Sequence, residues 1–491
     1  MGEKIQVTVF TGEDRKRYRD KVHTCLDVLA RMLAESRFAF DLPMTGLEIE
    51  LNLVDPTGQP ALLNAEVLAH IEDPAFQTEL GQFNLEINVH PRTLVGRAAE
   101  DLESDVRDQL NTADASAHRA GASMAMVGIL PTLRPEHLSR SAISNNPRYH
   151  LLDAMMLAAR GEDLHIDIDG AQHLEVWADT IAPEAACTSV QFHLQVTPDA
   201  FADHWNAAQC LAGVQVALGA NSPYLLGREL WRETRIALFT QATDTRSAEL
   251  KAQGVRPRVW FGERYVTSVF DLFEENIRYF PALLPVIEDE DPEAVLAAGG
   301  TPLLPELRLH NGTVWRWNRP VYDVVDGVPH LRVENRVLPS GPTVVDIMAN
   351  GALYYGALRA LVDLDRPVWS QMSFRAAEEN FLQGAQRGLD AELYWPGLGE
   401  APVSELVLRR LLPLAYTGLA AWGVDPAVAH RLLGIIEQRC ITGRNGATWQ
   451  VAAVHAYEAA GFDRWEALRR MTLDYLVGMH SNEPVHTWEL P

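Results

Sequence analysis

The sequence predicts an α+β protein in which helices back a curved, mostly antiparallel sheet and a helical region follows the sheet. Two observations indicate this fold class. Several stretches in the first two thirds of the chain alternate between apolar and polar residues, which is the period of a strand with one buried face. Around these stretches, apolar residues recur at the i, i+3, i+4 spacing of amphipathic helices, and from about Thr343 onward only that spacing remains. We expect a sheet-containing core over residues 1–362 and a helical region over residues 363–491 that packs on it.

The alternating stretches place unusual side chains on their polar faces. In the first stretch, from Thr45 to Val54, Glu48 and Glu50 lie about 7 Å apart with no Lys or Arg in the strand. Carboxylates this close repel each other unless water, a basic side chain or a hard cation lies between them. Three further stretches repeat the pattern, so the sequence predicts one sheet with a functional face. The polar residues of the four stretches are, in chain order, Glu48, Glu50 and Asn52; Asn84, Glu86 and Asn88; Gln191, His193 and Gln195; and Arg332, Glu334 and Arg336.

Local signals place the helices of the first half of the chain. Thr11, with Asp14 three residues later, is a capping-box start for a helix, and a short strand is expected before it. The other helices expected here lie between Asn64 and Phe76, from about Ala98 to Ala120, after the turn at 145–149, and from the N-cap Thr197 with Pro198 to near Gly219.

Two features concern the strands themselves. Glu79 and Glu86 flank the second strand, and strand parity alone would place them on opposite faces. We therefore expect a bulge at Gly81 that brings the two carboxylates together. The apolar run from Met124 to Ile129 is typical of a buried strand.

The last third of the chain has the pattern of packed helices and contains few candidates for catalytic or metal-binding side chains. Gly461 and Gly478 are predicted to end two of these helices. The helices are expected at 343–363, 371–387, 402–416, 425–441, 446–460 and 463–479.

Composition excludes several classes of protein. Among the 491 residues, 42 are Lys or Arg and 66 are Asp or Glu, and the resulting charge of −24 argues against nucleic acid or anionic membranes as partners. The four cysteines are scattered without a framework spacing, and neither a signal-peptide h-region nor an apolar run of about 18 residues is present. We expect a soluble, cytoplasmic protein that acts on small molecules, while its oligomeric state is left open.

The predicted polar face suits phosphoryl transfer. Clustered carboxylates with an imidazole or an amide are the environment that Mg²⁺ or Mn²⁺ prefers. Arg332 and Arg336 on the same face, with Arg319 nearby in sequence, can hold phosphate or carboxylate oxygens through two hydrogen bonds. No Walker loop and no GxGxxG motif after a strand is present, so neither P-loop nor Rossmann binding is supported.

Six motifs follow one another along the chain: Gly46-Leu47-Glu48-Ile49-Glu50, the pair Glu79 and Glu86, Val190-Gln191-Phe192-His193, Ala220-Asn221-Ser222-Pro223, Trp317-Asn318-Arg319-Pro320 and Glu334-Asn335-Arg336. In this order they resemble the motifs of the glutamate-cysteine ligases. The family belongs to the carboxylate-amine ligases, of which glutamine synthetase is a distant structural relative. The resemblance covers roughly residues 40 to 360, so the core over 1–362 would be catalytic.

The resemblance implies a reaction and a role for each motif. ATP would phosphorylate the side-chain carboxylate of glutamate, and an amine, cysteine in the reaction that names the family, would displace the phosphate, as in glutathione biosynthesis. Arg336 would contact the transferred phosphate, and Arg319 the phosphate or the substrate carboxylate. The implied ligands are Glu50, Glu79 and Glu86 for one Mg²⁺ and Glu48, Gln191 and Glu334 for another, and the further candidates for substrate or nucleotide contacts are Arg148, His193, Asn221, Ser222 and Arg332.

Several alternatives stay open at this stage. Compact bacterial members read His-x-His or His-x-Asn where this chain has Gln191-x-His193, so either residue could contact the metal. Glu79 could be an exposed loop carboxylate, and Asn221 and Ser222 could serve only to cap a helix. The same scaffold could use another amine or a guanidino acceptor, or could be a catalytically silent nucleotide-binding or regulatory homologue.

Overall fold

The alternating stretches of the sequence become neighbouring strands in the computed structural model of the protein, which describes residues 10–38 and 43–491. The short strand expected before Thr11 falls outside these residues. The strands are, in chain order, β1 (Thr45–Val54), β2 (Phe76–Thr78), β3 (Asn84–Arg92), β4 (Ser123–Ala125), β5 (Leu164–Asp169), β6 (His173–Ala178), β7 (Ser189–Gln195), β8 (Tyr224–Leu225), β9 (Arg228–Glu229), β10 (Val259–Trp260), β11 (Trp315–Arg316), β12 (Asn318–Val325), β13 (Val328–Pro339), β14 (Glu392–Trp395) and β15 (Gly399–Pro402).

Seven of these strands form one curled antiparallel sheet, which confirms the predicted fold class. The order across the sheet is β12, β13, β7, β1, β3 and β2, and β4 also pairs with β1. The apolar residues of β1 are buried as the alternation requires, because Leu47, Ile49, Leu51 and Leu53 are at most 3% exposed. The remaining strands form four two-stranded sheets outside it.

Helices supply most of the rest of the described chain. They are α1 (Gly12–Ala34), α2 (Asn64–Ile71), α3 (Ala98–Arg119), α4 (Pro147–Arg160), α5 (Phe201–Gly219), α6 (Thr234–Ala242), α7 (Ala248–Ala252), α8 (Val269–Tyr279), α9 (Pro292–Ala297), α10 (Pro305–Asn311), α11 (Val344–Val362), α12 (Phe374–Arg387), α13 (Val403–Leu406), α14 (Leu412–Ala421), α15 (Pro426–Thr442), α16 (Gly446–Ala459) and α17 (Arg464–Ser481). None of them is both long enough and apolar enough to cross a membrane.

Two almost wholly buried helices, α5 and α11, cover the apolar face of the sheet. Tyr355 of α11 donates a hydrogen bond to the carbonyl of His193 in β7 over 3.0 Å, and its ring packs edge-on against Phe192. The indole of Trp205 in α5 donates to the carbonyl of Asn318 in β12 over 2.9 Å. These contacts hold the backbone of two strands from behind, so the opposite face of the sheet is free for polar side chains.

The helix predictions hold closely, and Thr11 and Asp14 form the expected capping box at the start of α1. The C-terminal helices fall where the sequence places them, although Gly478 was expected to end a helix and instead lies inside α17. A Cβ atom at Gly478 would lie 2.7 Å from the ring of Trp488, so the glycine permits close packing. The helix expected to open at Thr197 begins only at Phe201, after a turn.

Two strand predictions are wrong in detail. Only Met124 and Ala125 of the apolar run pair as a strand, within β4. Farther along the run, Gly128 donates to the carbonyl of Asn221 and accepts from the amide of Thr188, outside any strand pair. Gly81 does not form a bulge within one strand. It lies in the turn that joins β2 to β3, and this hairpin is what brings Glu79 towards Glu86.

Candidate active site

The strand register gathers the predicted polar residues on one face of the sheet. Glu50 in β1 lies opposite Glu86 in β3, and Glu48 lies opposite Gln191 in β7. His193 in turn lies opposite Glu334 in β13. Because directly opposed residues share a face in an antiparallel pair, these side chains from four distant segments lie together.

Glu50, Glu79 and Glu86 form an acidic group at the β1–β3 side of this face. Glu86 accepts hydrogen bonds from the amides of Gln77, at 2.5 Å, and Asn88, at 2.7 Å. Burial, together with the nearby charges of Glu48 and Glu50, raises the pKa of Glu86 to about 8. The pKa of Glu79 is raised well above its ordinary value by burial and by Glu86, so Glu79 belongs to this group and is not an isolated loop carboxylate.

A fourth carboxylate, Glu184, adds to the same negative field and was missed by the sequence reasoning. It lies in a short 3₁₀ turn, Ala182–Ala186, just before β7. Burial and the charge of Glu50 raise the pKa of Glu184 to about 8. A turn has neither the alternation of a strand nor a motif of its own, so no sequence signal singles out this residue.

Glu334 lies at the β7–β13 side of the face between two arginines. One of its oxygens accepts from Arg319 over 2.8 Å and the other from Arg336 over 2.6 Å. Burial opposes ionisation of Glu334, but the two guanidinium groups prevail and hold its pKa well below the usual range. The same nitrogen of Arg336 also donates to Oε1 of Gln191 over 2.6 Å, and the amide nitrogen of Gln191 donates to Glu50 over 3.1 Å.

Glu48 occupies the centre of the face, next to His193. Nε2 of His193 lies 3.1 Å from Oε1 of Glu48, while its Nδ1 accepts a hydrogen bond from Nε of Arg332 over 3.1 Å. Burial alone would raise the pKa of Glu48, but the adjacent imidazole lowers it overall. Arg332 also contacts Asp323 and His330. Gln191 and His193 therefore flank Glu48 from the same strand, and both stay candidates for a metal ligand.

A pocket of about 470 Å³ opens beside Glu48. Its polar wall includes His193 and Arg332, and much of the remaining wall is apolar, with Leu47 and Val89 from the sheet. This combination of apolar surface and a few convergent polar groups is typical of a small-molecule site.

Three predicted site residues are not brought to this face. Asn221 and Ser222 are fully buried, and their side chains are bonded to Ser340, Tyr475 and Glu233, so the structure gives them a structural role in place of the expected ligand contact. Arg148 lies in the first turn of α4, where its backbone amide donates to the N-cap Asn146. Within the described chain, the Arg148 side chain makes no hydrogen bond or ion pair to the acidic groups.

The donor set suits a hard divalent cation. Carboxylate and amide oxygens are the ligands that Mg²⁺ prefers. The raised pKa values of Glu79 and Glu86 reflect burial and, after it, a crowding of negative charge that a cation would relieve. In residues 10–38 and 43–491, however, no group of three or more His, Cys, Asp or Glu side chains is arranged as a finished metal centre. The reason lies in the contacts above, since the carboxylates of Glu48 and Glu334 face His193 and the two arginines instead.

Solved structures of known proteins share the fold of this chain. A solved glutamate–cysteine ligase from Francisella tularensis, in complex with AMP, superposes with a TM-score of 0.54 at 14% identity, covering 93% of this chain and 91% of that one. A bifunctional glutathione synthetase from Pasteurella multocida reaches a TM-score of 0.48 at 12% identity, covering 93% of this chain and 54% of that one. The first of these likenesses, at 14% identity, shows the fold alone.

Sequence comparison identifies the family. A curated relative from Mycolicibacterium vanbaalenii, named "Putative glutamate--cysteine ligase 2-2", is 33% identical over 114 residues, which are 22% of this chain and 28% of that protein. The aligned segment thus spans less than a third of the relative. The model of the family "Glutamate-cysteine ligase family 2" matches residues 44–459, which include the whole sheet and most of the C-terminal helices. The chain therefore belongs to glutamate-cysteine ligase family 2.

Proposed function

We propose that this protein uses ATP to join the side-chain carboxylate of glutamate to an amine, and that the amine is cysteine, giving γ-glutamylcysteine. The observation that carries the proposal is the convergence of Glu48, Glu50, Glu86 and Glu334 with two arginines on one sheet face. Membership in the family supports the reaction class. No side chain on this face is needed as a nucleophile, because both reacting groups belong to substrates.

The reaction has two steps. An oxygen of the glutamate side-chain carboxylate attacks the γ-phosphorus of ATP, ADP leaves, and an acyl phosphate is formed. The amine nitrogen then attacks the acyl carbon, phosphate leaves with the bonding electrons, and the nitrogen loses a proton as the amide forms. In both steps negative charge develops on phosphate oxygens. Fixed positive charge around these oxygens therefore lowers the barrier.

The arginines of the face supply that charge. Arg319 and Arg336 already lie together at Glu334, and their guanidinium groups can hold phosphate or carboxylate oxygens through paired hydrogen bonds. Arg332 lines the pocket beside Glu48. A nucleotide phosphate bound in this pocket would therefore lie in the positive field of the Arg332 guanidinium. We assign the pocket to the nucleotide on this ground.

The carboxylates divide into two sets in this proposal. Glu50, Glu79 and Glu86 would hold one Mg²⁺ or Mn²⁺, and Glu48, Gln191 and Glu334 another. Such ions neutralise phosphate charge and align the transferred group. The chain's own contribution is to fix these oxygens on paired strands, which hold catalytic groups more rigidly than loops do.

Mass spectrometry of the products tests the proposal. The protein is incubated with ATP, Mg²⁺, glutamate and a mixture of amines that includes cysteine, and matched samples lack ATP or contain the Glu48→Gln variant. We expect a γ-glutamyl amide of cysteine and one ADP per amide, only in the complete mixture. A product with another amine would correct the acceptor. If calorimetry showed that ATP binds but no product formed, the result would favour a catalytically silent homologue and refute the proposed ligase activity.

A further inference from the structure

A second pocket, of about 400 Å³, lies between α1 and the end of α8 with the segment that follows it. It shares no lining residue with the pocket beside Glu48. Its lining includes three arginines, Arg15 and Arg19 from α1 and Arg278 from α8. In a chain of net charge −24 with only 42 basic residues, three arginines around one cavity are an unusual concentration of positive charge.

These arginines are only partly neutralised by the protein. Arg15 donates to the backbone carbonyl of Ala282 over 3.2 Å, and Arg278 pairs with Glu274. Arg19 forms no hydrogen bond and no ion pair with the parts of the chain that the structure describes. Two of the three positive charges therefore face the cavity without a carboxylate partner.

A buried guanidinium behind the pocket wall strengthens the positive field. Arg258 is 2% exposed and donates to the carbonyl of Pro281, over 2.6 Å, and to that of Thr313, over 3.0 Å. Its Nε has no hydrogen-bond partner, and among residues 10–38 and 43–491 no carboxylate forms an ion pair with it. Burial lowers the pKa of Arg258 to about 10, so the group is charged at neutral pH. A cation buried without a partner charge projects its field further than one in water.

The rest of the wall is aromatic and apolar, and it is held in place. Tyr18, Tyr279 and Phe280 line the cavity together with the apolar Val22 and Ile277. The hydroxyl of Tyr18 donates to the carbonyl of Glu306 over 2.9 Å. Nε2 of His310, also in the wall, lies 3.0 Å from the carbonyl of Asn276. Fixed rings with charge at the mouth are suited to a ligand that has an apolar body and an anionic group.

We propose that this pocket binds a small organic anion, in which a carboxylate or phosphate group meets Arg15 and Arg19 and an aromatic or apolar body lies against Tyr18 and Phe280. The site is separate from the proposed ligase site and does not depend on it. It would take a ligand by charge and shape, without any chemical step.

Calorimetry on the full chain tests the proposal, with phenyl phosphate and benzoate as probes and benzyl alcohol as the uncharged counterpart. The double variant R15E/R19E reverses both arginines, and K16E/R31E makes the same change of charge on the same helix at exposed positions that do not line the pocket. We expect R15E/R19E to weaken binding of at least one anionic probe by tenfold or more and K16E/R31E to leave it within about twofold. The stronger of the two probes identifies the preferred anionic group.

A second variant blocks the cavity without changing the charge of the protein. Ala282→Trp places a large ring in the cavity and should abolish the same binding while the charge of the protein is unchanged. Any binding of a probe at the sheet face would persist in both variants and is thereby distinguished. The proposal would be overturned if R15E/R19E and K16E/R31E bound the anionic probes with equal affinity, whether weakened or not. It would also be overturned if neither anion bound to the native chain.

Discussion

At the scale of single residues, the contact between Arg336 and Glu334 departs from simple strand geometry. Residues two apart along a strand share a face but are poorly placed to pair, and we expected Arg336 to face a ligand. A register shift between Asn335 and Leu338 alters the local direction of β13, and the guanidinium reaches Glu334 through one nitrogen. Arg336 is therefore held by Glu334 and Gln191 while still facing the polar side of the sheet.

Glu48 offers the clearest test of the site at this scale. Its side chain is 23% exposed and lies beside His193, so Glu48→Gln keeps the volume and a hydrogen-bond acceptor while it removes the charge. We expect ADP release to fall by at least about 10³-fold, since a lost metal ligand costs several kcal/mol of barrier, with little change in melting temperature. Steady-state ADP release measures this.

The matched control for that variant is Glu392→Gln, because Glu392 is an exposed strand carboxylate in β14. It should leave the rate unchanged. Near-normal turnover of Glu48→Gln would remove Glu48 from the catalytic machinery.

At the scale of elements, the sequence predicts most of the segments that have a helix or strand period. The four alternating strands and the C-terminal helices follow from residue spacing alone. The strand β12 went unpredicted because it begins in a segment rich in Trp and Arg. The hairpin of β5 and β6 also went unpredicted, although Leu164, Ile166 and Ile168 of β5 alternate with polar residues and are buried. Glu184 and the true role of Asn221 depend on turns, whose conformation is set by distant contacts.

The loop after α5 is expected to act in stability and not in substrate binding. The hydroxyl of Ser222 donates to the buried Glu233 over 2.7 Å and accepts from the amide of Arg235. Ser222→Ala leaves both groups short of a partner, which should lower the free energy of unfolding by about 1–3 kcal/mol. The KM values for ATP and glutamate should stay within about twofold.

Denaturant titration and steady-state kinetics check this, with Ser370→Ala as the control at an exposed serine. That control should change stability by less than about 0.5 kcal/mol. A marked rise in KM with unchanged stability in Ser222→Ala would restore the loop to the substrate site.

Glycines within helices provide a matched pair for packing. Gly478 lies in α17 against the ring of Trp488, whereas Gly434 lies in α15 with open space around the position of a Cβ atom. We expect Gly478→Ala to lower stability by about 1–3 kcal/mol through overpacking. Gly434→Ala should raise stability by about 0.5–1 kcal/mol through helix propensity.

Thermal or denaturant unfolding of the two variants measures the difference. If Gly478→Ala were as stable as Gly434→Ala, the close approach of Trp488 to α17 would be wrong. The comparison is informative because both variants add the same methyl group to the interior of a helix.

At the scale of the whole molecule, the acidic groups couple folding to pH. Burial raises the pKa of both Glu86 and Glu184 to about 8, against an ordinary value of 4.5. Between these values the folded chain retains protons that the unfolded chain has lost, so the contribution of Glu86 and Glu184 to stability falls as pH rises through this window. Glu48 and Glu334 have lowered pKa values, and their opposite contribution is lost only below about pH 4.5.

The metal-free protein should therefore lose stability as pH rises, and a divalent cation should restore it. In a chelator, we expect the melting temperature to fall between about pH 5.5 and pH 8, because ionising Glu86 and Glu184 creates buried charges that are repelled by Glu50. Millimolar Mg²⁺ should raise the melting temperature more at pH 8 than at pH 5.5, since it binds only the deprotonated carboxylates. Glu86→Gln should flatten the pH dependence and weaken the effect of Mg²⁺, whereas Glu392→Gln should change neither. A melting temperature that is insensitive to pH in this range, or to Mg²⁺ at pH 8, would mean that the carboxylates of the sheet face do not act together on a cation.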